Sequence, residues 1–293
     1  MLQPQHHVAV GMMRRNVSRR IAFGMASALM LMFFSASLAG AEDSDVSNID
    51  MCNGKDRTPP DRQIEGCTAL LKSADNPGVM AIIYNNRGNA YVSKQQYDLA
   101  IKDYDEAIKA NANYARAFNG RGVAYEKKGD YDRAILDFDA ATKIDANYAN
   151  AFANRAETYE KKGDFASASK DLDAAIRIQP NLSMLRNERC WALTMVGDLP
   201  SALAECNAAV RQTPDDAAPY DSRGLTYLRM GQWDSAITDY NAALKIDPKL
   251  ASALYGRGLA EIKKGKSGDG NADITAAKSI NPSIAEEFAP LRP

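Results

Sequence analysis

The feature that most constrains this chain is an internal repetition with a period of 34 residues. The stretch FNGRGVAYEKKGDYDRAILDFDAATKID begins at Phe118, and a near copy, FANRAETYEKKGDFASASKDLDAAIRIQ, begins at Phe152. The same pattern starts six times, at residues 81, 115, 149, 183, 217 and 251. A unit of this size cannot bury an apolar face of its own, so we expect successive units to stack against one another.

The recurring residue types predict a helical hairpin in each unit. Small residues at three positions let two helices approach closely, while a large side chain at two others fills the space between hairpins. A glycine between the two halves suits the left-handed residue that ends a helix, and a later proline stops the second helix. The most regular of these positions hold Ala107, Ala141, Ala175, Ala209, Ala243 and Ala277, and Gly129, Gly163, Gly197, Gly231 and Gly265.

This order of glycine, tyrosine, alanine, aromatic residue and proline resembles the tetratricopeptide repeat. The resemblance implies an all-α fold, a right-handed α-solenoid of stacked helical hairpins. We place the repeat region at 80–282, with repeats at 81–114, 115–148, 149–182, 183–216, 217–250 and 251–284, and a C-terminal cap at 283–293. The sixth repeat departs from the pattern at Glu261, Gly268 and Gly270, so its second helix is expected to be short.

Two columns of opposite charge run through the repeats without exception. We favour a structural ladder of ion pairs, within each hairpin or between neighbours, over an arginine-lined ligand surface. If such pairs are partly buried, they specify register more than they add stability. The seventh position holds Arg87, Arg121, Arg155, Arg189, Arg223 and Arg257, and the twenty-third holds Asp103, Asp137, Asp171, Glu205, Asp239 and Asp273.

Residues 1–41 are predicted to be a secretory signal peptide. Four arginines precede an uncharged apolar run at 21–38, and Ala39-Gly40-Ala41 supplies a small-residue cleavage site. The alternative is an uncleaved membrane anchor, for which a run of about 18 apolar residues is marginal. We expect cleavage after Ala41 and a periplasmic or secreted protein with no membrane span after signal removal.

The composition excludes several function classes for the mature chain. Both histidines, His6 and His7, lie in the predicted signal peptide, so the mature protein lacks the commonest general base and the commonest zinc ligand. It carries 32 basic and 37 acidic residues, a balance that does not suit nucleic-acid binding. We therefore expect no catalytic site, no metal, no cofactor and no nucleic-acid partner.

The four cysteines are expected to form two disulfides in an exported protein. Cys190 and Cys206 are equidistant from the turn of their repeat, so they face each other in an antiparallel hairpin. Cys52 and Cys67 are likewise equidistant from a Pro-Pro turn, and DRQIEGCTALLKS, which contains Cys67, resembles DRAILDFDAATKI of the second repeat. Residues 42–79 are therefore interpreted as a degenerate N-terminal hairpin. Four buried free thiols are the alternative.

In the family that the repeats resemble, the first helices line a concave groove that binds peptides or partner proteins. The lining positions are positions 2, 5, 9 and 12 of each repeat, and they are polar in the first three repeats and mostly apolar in the last three. This difference indicates a docking site at the C-terminal half, with Trp191 and Tyr255 as anchors. The alternative is that the chain's own tail covers this apolar end through Ile284, Phe288 and Leu291. The candidate partner-binding residues are Asn85, Asn89, Asn119, Met184, Asn187, Trp191, Leu225, Leu228, Tyr255, Leu259 and Ile262.

The resemblance therefore implies a non-enzymatic scaffold for a protein or peptide partner. Two alternatives stay open: a self-associating structural component of an envelope assembly, and an accessory subunit of an envelope enzyme. Fold alone does not decide between them. The sequence leaves the partner and the oligomeric state open.

Overall fold

The computed structural model describes residues 41–289, which form fifteen α-helices, a short 3₁₀ turn at Lys55–Arg57 and no strand. The predicted signal peptide lies outside these residues, apart from Ala41. Among the helices of this region, none combines the length and the apolar character that crossing a bilayer requires. The helices are α1 Ala41–Cys52, α2 Pro60–Leu70, α3 Pro77–Ser93, α4 Tyr97–Ala110, α5 Ala115–Lys127, α6 Tyr131–Ile144, α7 Ala149–Lys161, α8 Phe165–Ile178, α9 Ser183–Val196, α10 Leu199–Gln212, α11 Ala217–Arg229, α12 Trp233–Ile246, α13 Ala251–Lys263, α14 Ser267–Ile280 and α15 Ile284–Glu287.

The described chain divides into two compact units. The N-terminal unit ends at Thr158, and the C-terminal unit begins at Tyr159, near the end of α7. In both units consecutive helices pack as antiparallel pairs, for example α3 with α4 and α11 with α12. Each unit is thus a stack of the helical hairpins that the 34-residue period predicts.

The Gly-Asp dipeptide at the centre of a repeat makes the turn of the hairpin. Gly129 has φ 80° and Gly197 has φ 95°, a left-handed conformation that costs glycine little and ends the first helix. The aspartate that follows begins the second helix, because its side chain accepts a hydrogen bond from the third residue onward, as Asp130 does from the amide of Arg133. In the first repeat Gln95 adopts the left-handed conformation, with φ 60°.

Packing within a hairpin depends on a small residue opposite a large one. A Cβ atom on Gly88 would lie only 2.8 Å from the ring of Tyr104, so glycine is what lets the fully buried ring reach the first helix. Gly122 faces Phe138 in the same way. These contacts explain why the eighth and twenty-fourth positions vary together along the chain.

Two hairpins replace this packing by a disulfide. The structure joins Cys190 to Cys206 across α9 and α10, at the positions that glycine and the aromatic ring occupy elsewhere. It also joins Cys52 to Cys67 across α1 and α2, which form a hairpin inside the predicted segment 42–79. The two bonds account for all four cysteines of the sequence.

The end of the chain differs from expectation in one respect. The second helix of the sixth repeat is not short: α14 has 14 residues, as many as α6. Gly270 serves close packing, because a Cβ atom there would lie 2.5 Å from the carbonyl oxygen of Gly258 on α13, whereas a Cβ atom on Gly268 would meet nothing within 4 Å. The following α15 begins at Ile284, close to where a seventh copy of the 34-residue pattern would start, and Ile284 and Phe288 are both buried.

Candidate partner-binding surface

The arginine column forms a ladder of bidentate ion pairs inside the hairpins. Arg87 donates from Nε to Asp103 Oδ2 at 2.8 Å and from Nη2 to Asp103 Oδ1 at 2.7 Å. The aspartate is buried, and the two parallel bonds match the planar geometry of both groups. The same arrangement joins Arg121 to Asp137, Arg223 to Asp239, and Arg257 to Asp273.

The third nitrogen of each guanidinium reaches the preceding hairpin. Arg121 Nη1 donates to Asp105 at 2.6 Å, and Arg223 Nη1 donates to Asn207 at 2.9 Å. Arg87 reaches back in the same way to Thr68 on α2, 3.0 Å away, which ties the degenerate hairpin to the array. The arginine column therefore joins helices both within and between repeats, which leaves its guanidinium groups engaged by the scaffold itself.

The remaining members of the arginine and acidic columns belong to the third and fourth repeats. The third repeat contains the boundary between the two units. Arg155 pairs with Asp139 and donates to Thr142 at 3.2 Å. Asp171 is buried in α8 of the C-terminal unit. In the fourth repeat Arg186 replaces the usual aromatic residue, and it shares Glu205 with Arg189, at 2.9 and 2.6 Å.

Burial and ion pairing have opposite effects on the pKa of the buried aspartate Asp137. Burial raises the pKa of Asp137, although the hydrogen bonds from Arg121 act to lower it. Those same bonds raise the pKa of Arg121 above its ordinary value. An aromatic ring completes the site: the guanidinium of Arg121 lies 5.6 Å from the ring centre of Phe118, within the range of a cation–π contact.

A second ladder, which the sequence interpretation missed, runs along the exposed turns. Lys128 pairs with Asp98 of the preceding repeat, and Lys264 pairs with Asp234. Lys94 binds Asp61 on α2. The signal was present in the sequence, since the EKKGD turns place a lysine at one end of each hairpin and the aspartates recur near the start of the second helices.

The lining positions of the N-terminal unit carry oriented asparagine side chains. Tyr104 donates from its hydroxyl to Asn89 Oδ1 at 2.7 Å, and Asn154 donates from Nδ2 to Asn119 Oδ1 at 2.9 Å. Asn85 is buried and donates to Asn86 at 3.4 Å. Asn89 is exposed and Asn119 half-buried, so these two present their amide groups on the surface of α3 and α5.

Three of the predicted docking residues in the C-terminal unit are buried in this structure. Leu225, Leu228 and Tyr255 are 1%, 0% and 3% exposed, so a partner cannot contact them in this structure. The cause lies in the tail: the ring of Phe288 packs 4.9 Å from the ring of Tyr255, and Ile284 is buried beside it. Leu291 lies outside the described residues. Partly buried side chains remain at Met184, Asn187, Trp191, Leu259 and Ile262.

Within residues 41–289, no group of three or more His, Cys, Asp or Glu side chains is arranged to hold a metal ion. The polar groups described above bind one another instead.

Sequence models of known repeats match four segments of the chain. The model described as a TPR repeat matches residues 88–129 and 224–265. Models described as tetratricopeptide repeats match residues 115–148 and 149–182. No curated protein matches the sequence.

Solved structures show the same fold. A tetratricopeptide repeat protein from Parabacteroides merdae has a TM-score of 0.61 at 18% identity, over 85% of this chain and 99% of that chain. PilF from Pseudomonas aeruginosa has a TM-score of 0.59 at 13% identity, over 72% and 96%. YrrB, described as a TPR protein with an unusual peptide-binding site, has a TM-score of 0.52 at 20% identity, over 63% and 95%.

These findings confirm the predicted all-α solenoid of helical hairpins. The matched segments lie in both units, and the segments 115–148 and 149–182 coincide with two of the repeats that the 34-residue period predicts. Proteins built from this repeat bind protein or peptide partners. The chain belongs to the tetratricopeptide-repeat family.

Proposed function

We propose that this protein is an exported, non-enzymatic scaffold that binds a protein or peptide partner on the inner face of its N-terminal unit. The inner face is the surface formed by the lining positions of α3 and α5. The observation that carries the proposal is the orientation of Asn89 and Asn119 by bonds from Tyr104 and Asn154.

Those two bonds decide which amide atoms a partner meets. The oxygen of each asparagine accepts a hydrogen bond from the protein, which fixes the amide orientation and leaves its Nδ2 group to donate to a partner. Donors of this kind suit the carbonyl groups of an extended peptide. Ile82, which is 48% exposed, and the half-buried Val92 and Val123 supply apolar contacts beside them.

The disulfides support export. All four cysteines are paired in the structure, and such bonds persist in oxidising compartments outside the cytoplasm. The basic and apolar N-terminal segment is consistent with the same proposal. Intact-mass analysis of the protein recovered from the periplasm or medium should give a chain that begins at Glu42. A chain that retains Met1, or that stays in the cytosol, would contradict export.

A site-specific photocrosslinker tests the binding surface. We expect the crosslinker at Val123, on the inner face, to capture a discrete partner in cells. The matched control is Leu136 on α6, which is 66% exposed and belongs to a second helix. Identical adducts from both positions would show that the inner face of the N-terminal unit is not the docking surface.

A further inference from the structure

The inner face of the C-terminal unit is closed by the last helices of the same unit. Leu225 and Leu228 on α11 and Tyr255 on α13 are buried, and Phe288 covers Tyr255. The short α15 is fastened by side chains, since Asn281 and Ser283 both donate to Glu287 Oε1, at 3.1 and 2.9 Å. Part of the apolar surface at the lining positions is thus buried, whereas Trp191, Leu259 and Ile262 remain partly exposed.

A buried carboxyl group lies in the interface between α11 and α13, which we call the seam. Asp221 is 2% exposed, and its Oδ2 accepts a hydrogen bond from Ser252 Oγ on α13 at 2.7 Å. Its second oxygen, Oδ1, is also buried and has no hydrogen-bond partner among residues 41–289. Asp221 is therefore a polar link between two helices whose other lining contacts are apolar.

Among the described residues, no arginine or lysine pairs with Asp221, because its Oδ2 accepts from Ser252 and its Oδ1 has no partner. The arginines of α11 itself are engaged elsewhere: Arg223 binds Asp239, and Arg229 donates to the carbonyl of Thr194. Helix α11 packs against α9, α10, α12 and α13. On those helices Arg189 binds Glu205 and Arg257 binds Asp273, so the guanidinium groups serve the ladder. Burial therefore raises the pKa of Asp221 to about 7, and the Ser252 hydroxyl opposes this rise only in part. The buried or half-buried ionisable side chains of the four helices are Arg186, Glu188, Arg189, Glu205, Asp239, Tyr240, Tyr255, Arg257 and Glu261.

We propose that ionisation of Asp221 opens the seam between α11 and α13 and so uncovers the inner face of the C-terminal unit. A carboxylate without a counter-charge is far more stable in water than in an apolar interior. Within the described chain, only α14 and α15 follow α13, so opening the seam displaces the end of the array and leaves α9 to α12 packed. The protein then has one permanently open inner face and one that depends on pH.

The direction of the effect follows from the two pKa values. In the closed state the pKa is about 7, above the ordinary 3.8 that an open, solvated Asp221 would have. The closed state is therefore most favoured in acid. The free-energy difference that favours it over the open state decreases as the pH rises toward 7 and changes little above pH 7. The linkage relation gives an increase in the opening equilibrium of about 200-fold between pH 4.5 and pH 8.

Hydrogen exchange of the full-length protein tests this inference. After correction for intrinsic exchange rates, protection of the α13 amides should fall about 200-fold from pH 4.5 to pH 8. The amides of α3 serve as the internal reference and should keep their protection. In D221N, whose amide cannot ionise, α13 should be equally protected at both pH values.

A second variant separates ionisation from simple loss of packing. In S252A the hydroxyl that stabilises the ionised carboxylate is gone, so the fall in protection should extend to higher pH than in the wild type. The inference is overturned if α13 protection in the wild type changes less than about threefold over this range. It is also overturned if D221N shows the same pH dependence as the wild type.

Discussion

The two units use one scaffold to build two different inner faces. In the N-terminal unit the buried hydroxyl of Tyr104 donates to Asn89. In the C-terminal unit Tyr240 occupies the equivalent position, but Leu225 stands where Asn89 does, and the buried hydroxyl has no hydrogen-bond partner among the described residues. The exchange of Asn89 for Leu225 at this lining position thus removes the partner of the tyrosine hydroxyl.

This difference indicates that one set of repeat positions specifies the helical scaffold and another set specifies the inner face. The arginine ladder, the hairpin turns and the small-to-large packing recur in both units. The lining positions do not recur, and they decide whether a face stays hydrated or is covered. Changes to the shared scaffold should therefore affect the two units alike, whereas changes at the lining positions should affect them differently.

The largest expected effect comes from breaking the shared ladder. R121A in the N-terminal unit, or R223A in the C-terminal unit, leaves a buried aspartate without its partner. Because an uncompensated buried charge is costly, each variant should lose about 3–5 kcal/mol of unfolding free energy. Chemical denaturation measures the loss. K128A, at the exposed ladder, is the control and should cost at most about 1 kcal/mol; equal losses for K128A and R121A would contradict the assignment.

Removal of a disulfide should have a somewhat smaller effect, again similar in both units. Each bond closes a loop of about 15 residues, which corresponds to ~3 kcal/mol in the loop-entropy description. The variants C52A/C67A and C190A/C206A should each lower the denaturation midpoint by a comparable amount. Non-reducing peptide mapping of the exported protein checks the pairing itself, and a Cys52–Cys206 crosslink would contradict it.

The two tyrosines should respond to the same substitution with opposite signs. Y104F removes a hydrogen bond to Asn89 and should destabilise the protein by about 1 kcal/mol. Y240F removes a buried hydroxyl without a partner, so it should be neutral or stabilising by up to about 1 kcal/mol. Thermal unfolding of both variants makes the comparison. Equal destabilisation by the two would mean that Tyr240 has a partner as Tyr104 does.

The smallest expected effect concerns binding on the open face. N89A should weaken binding of the captured partner about fivefold, since one hydrogen bond contributes ~1 kcal/mol. Y255A is the matched control, because Tyr255 is buried in the closed face. Isothermal titration with the purified partner measures both. If Y255A stays folded and weakens binding more than N89A does, the docking surface lies in the C-terminal unit.

Much of the architecture follows from the sequence alone because it depends on local and repeated contacts. The glycine that ends a first helix, the aspartate that begins the second and the small residue opposite a ring are all readable within one repeat. The pairing of Cys190 with Cys206 follows from their equal distance to the turn. The arginine and acidic columns recur without exception, so an ion-pair ladder was predictable, whereas the structure shows that Arg87 pairs with Asp103 of the same hairpin.

The functional surface depended on contacts that no single repeat contains. The apolar character of Leu225, Leu228 and Tyr255 was evident from the sequence, but it indicates burial and docking equally well. Only the packing of Phe288 on Tyr255 decides between them, because burial by the chain's own tail removes the same apolar area from water that a partner would remove. The sequence therefore determined the repeat, its turns and its ion pairs, whereas the tertiary structure decided which inner face remains open.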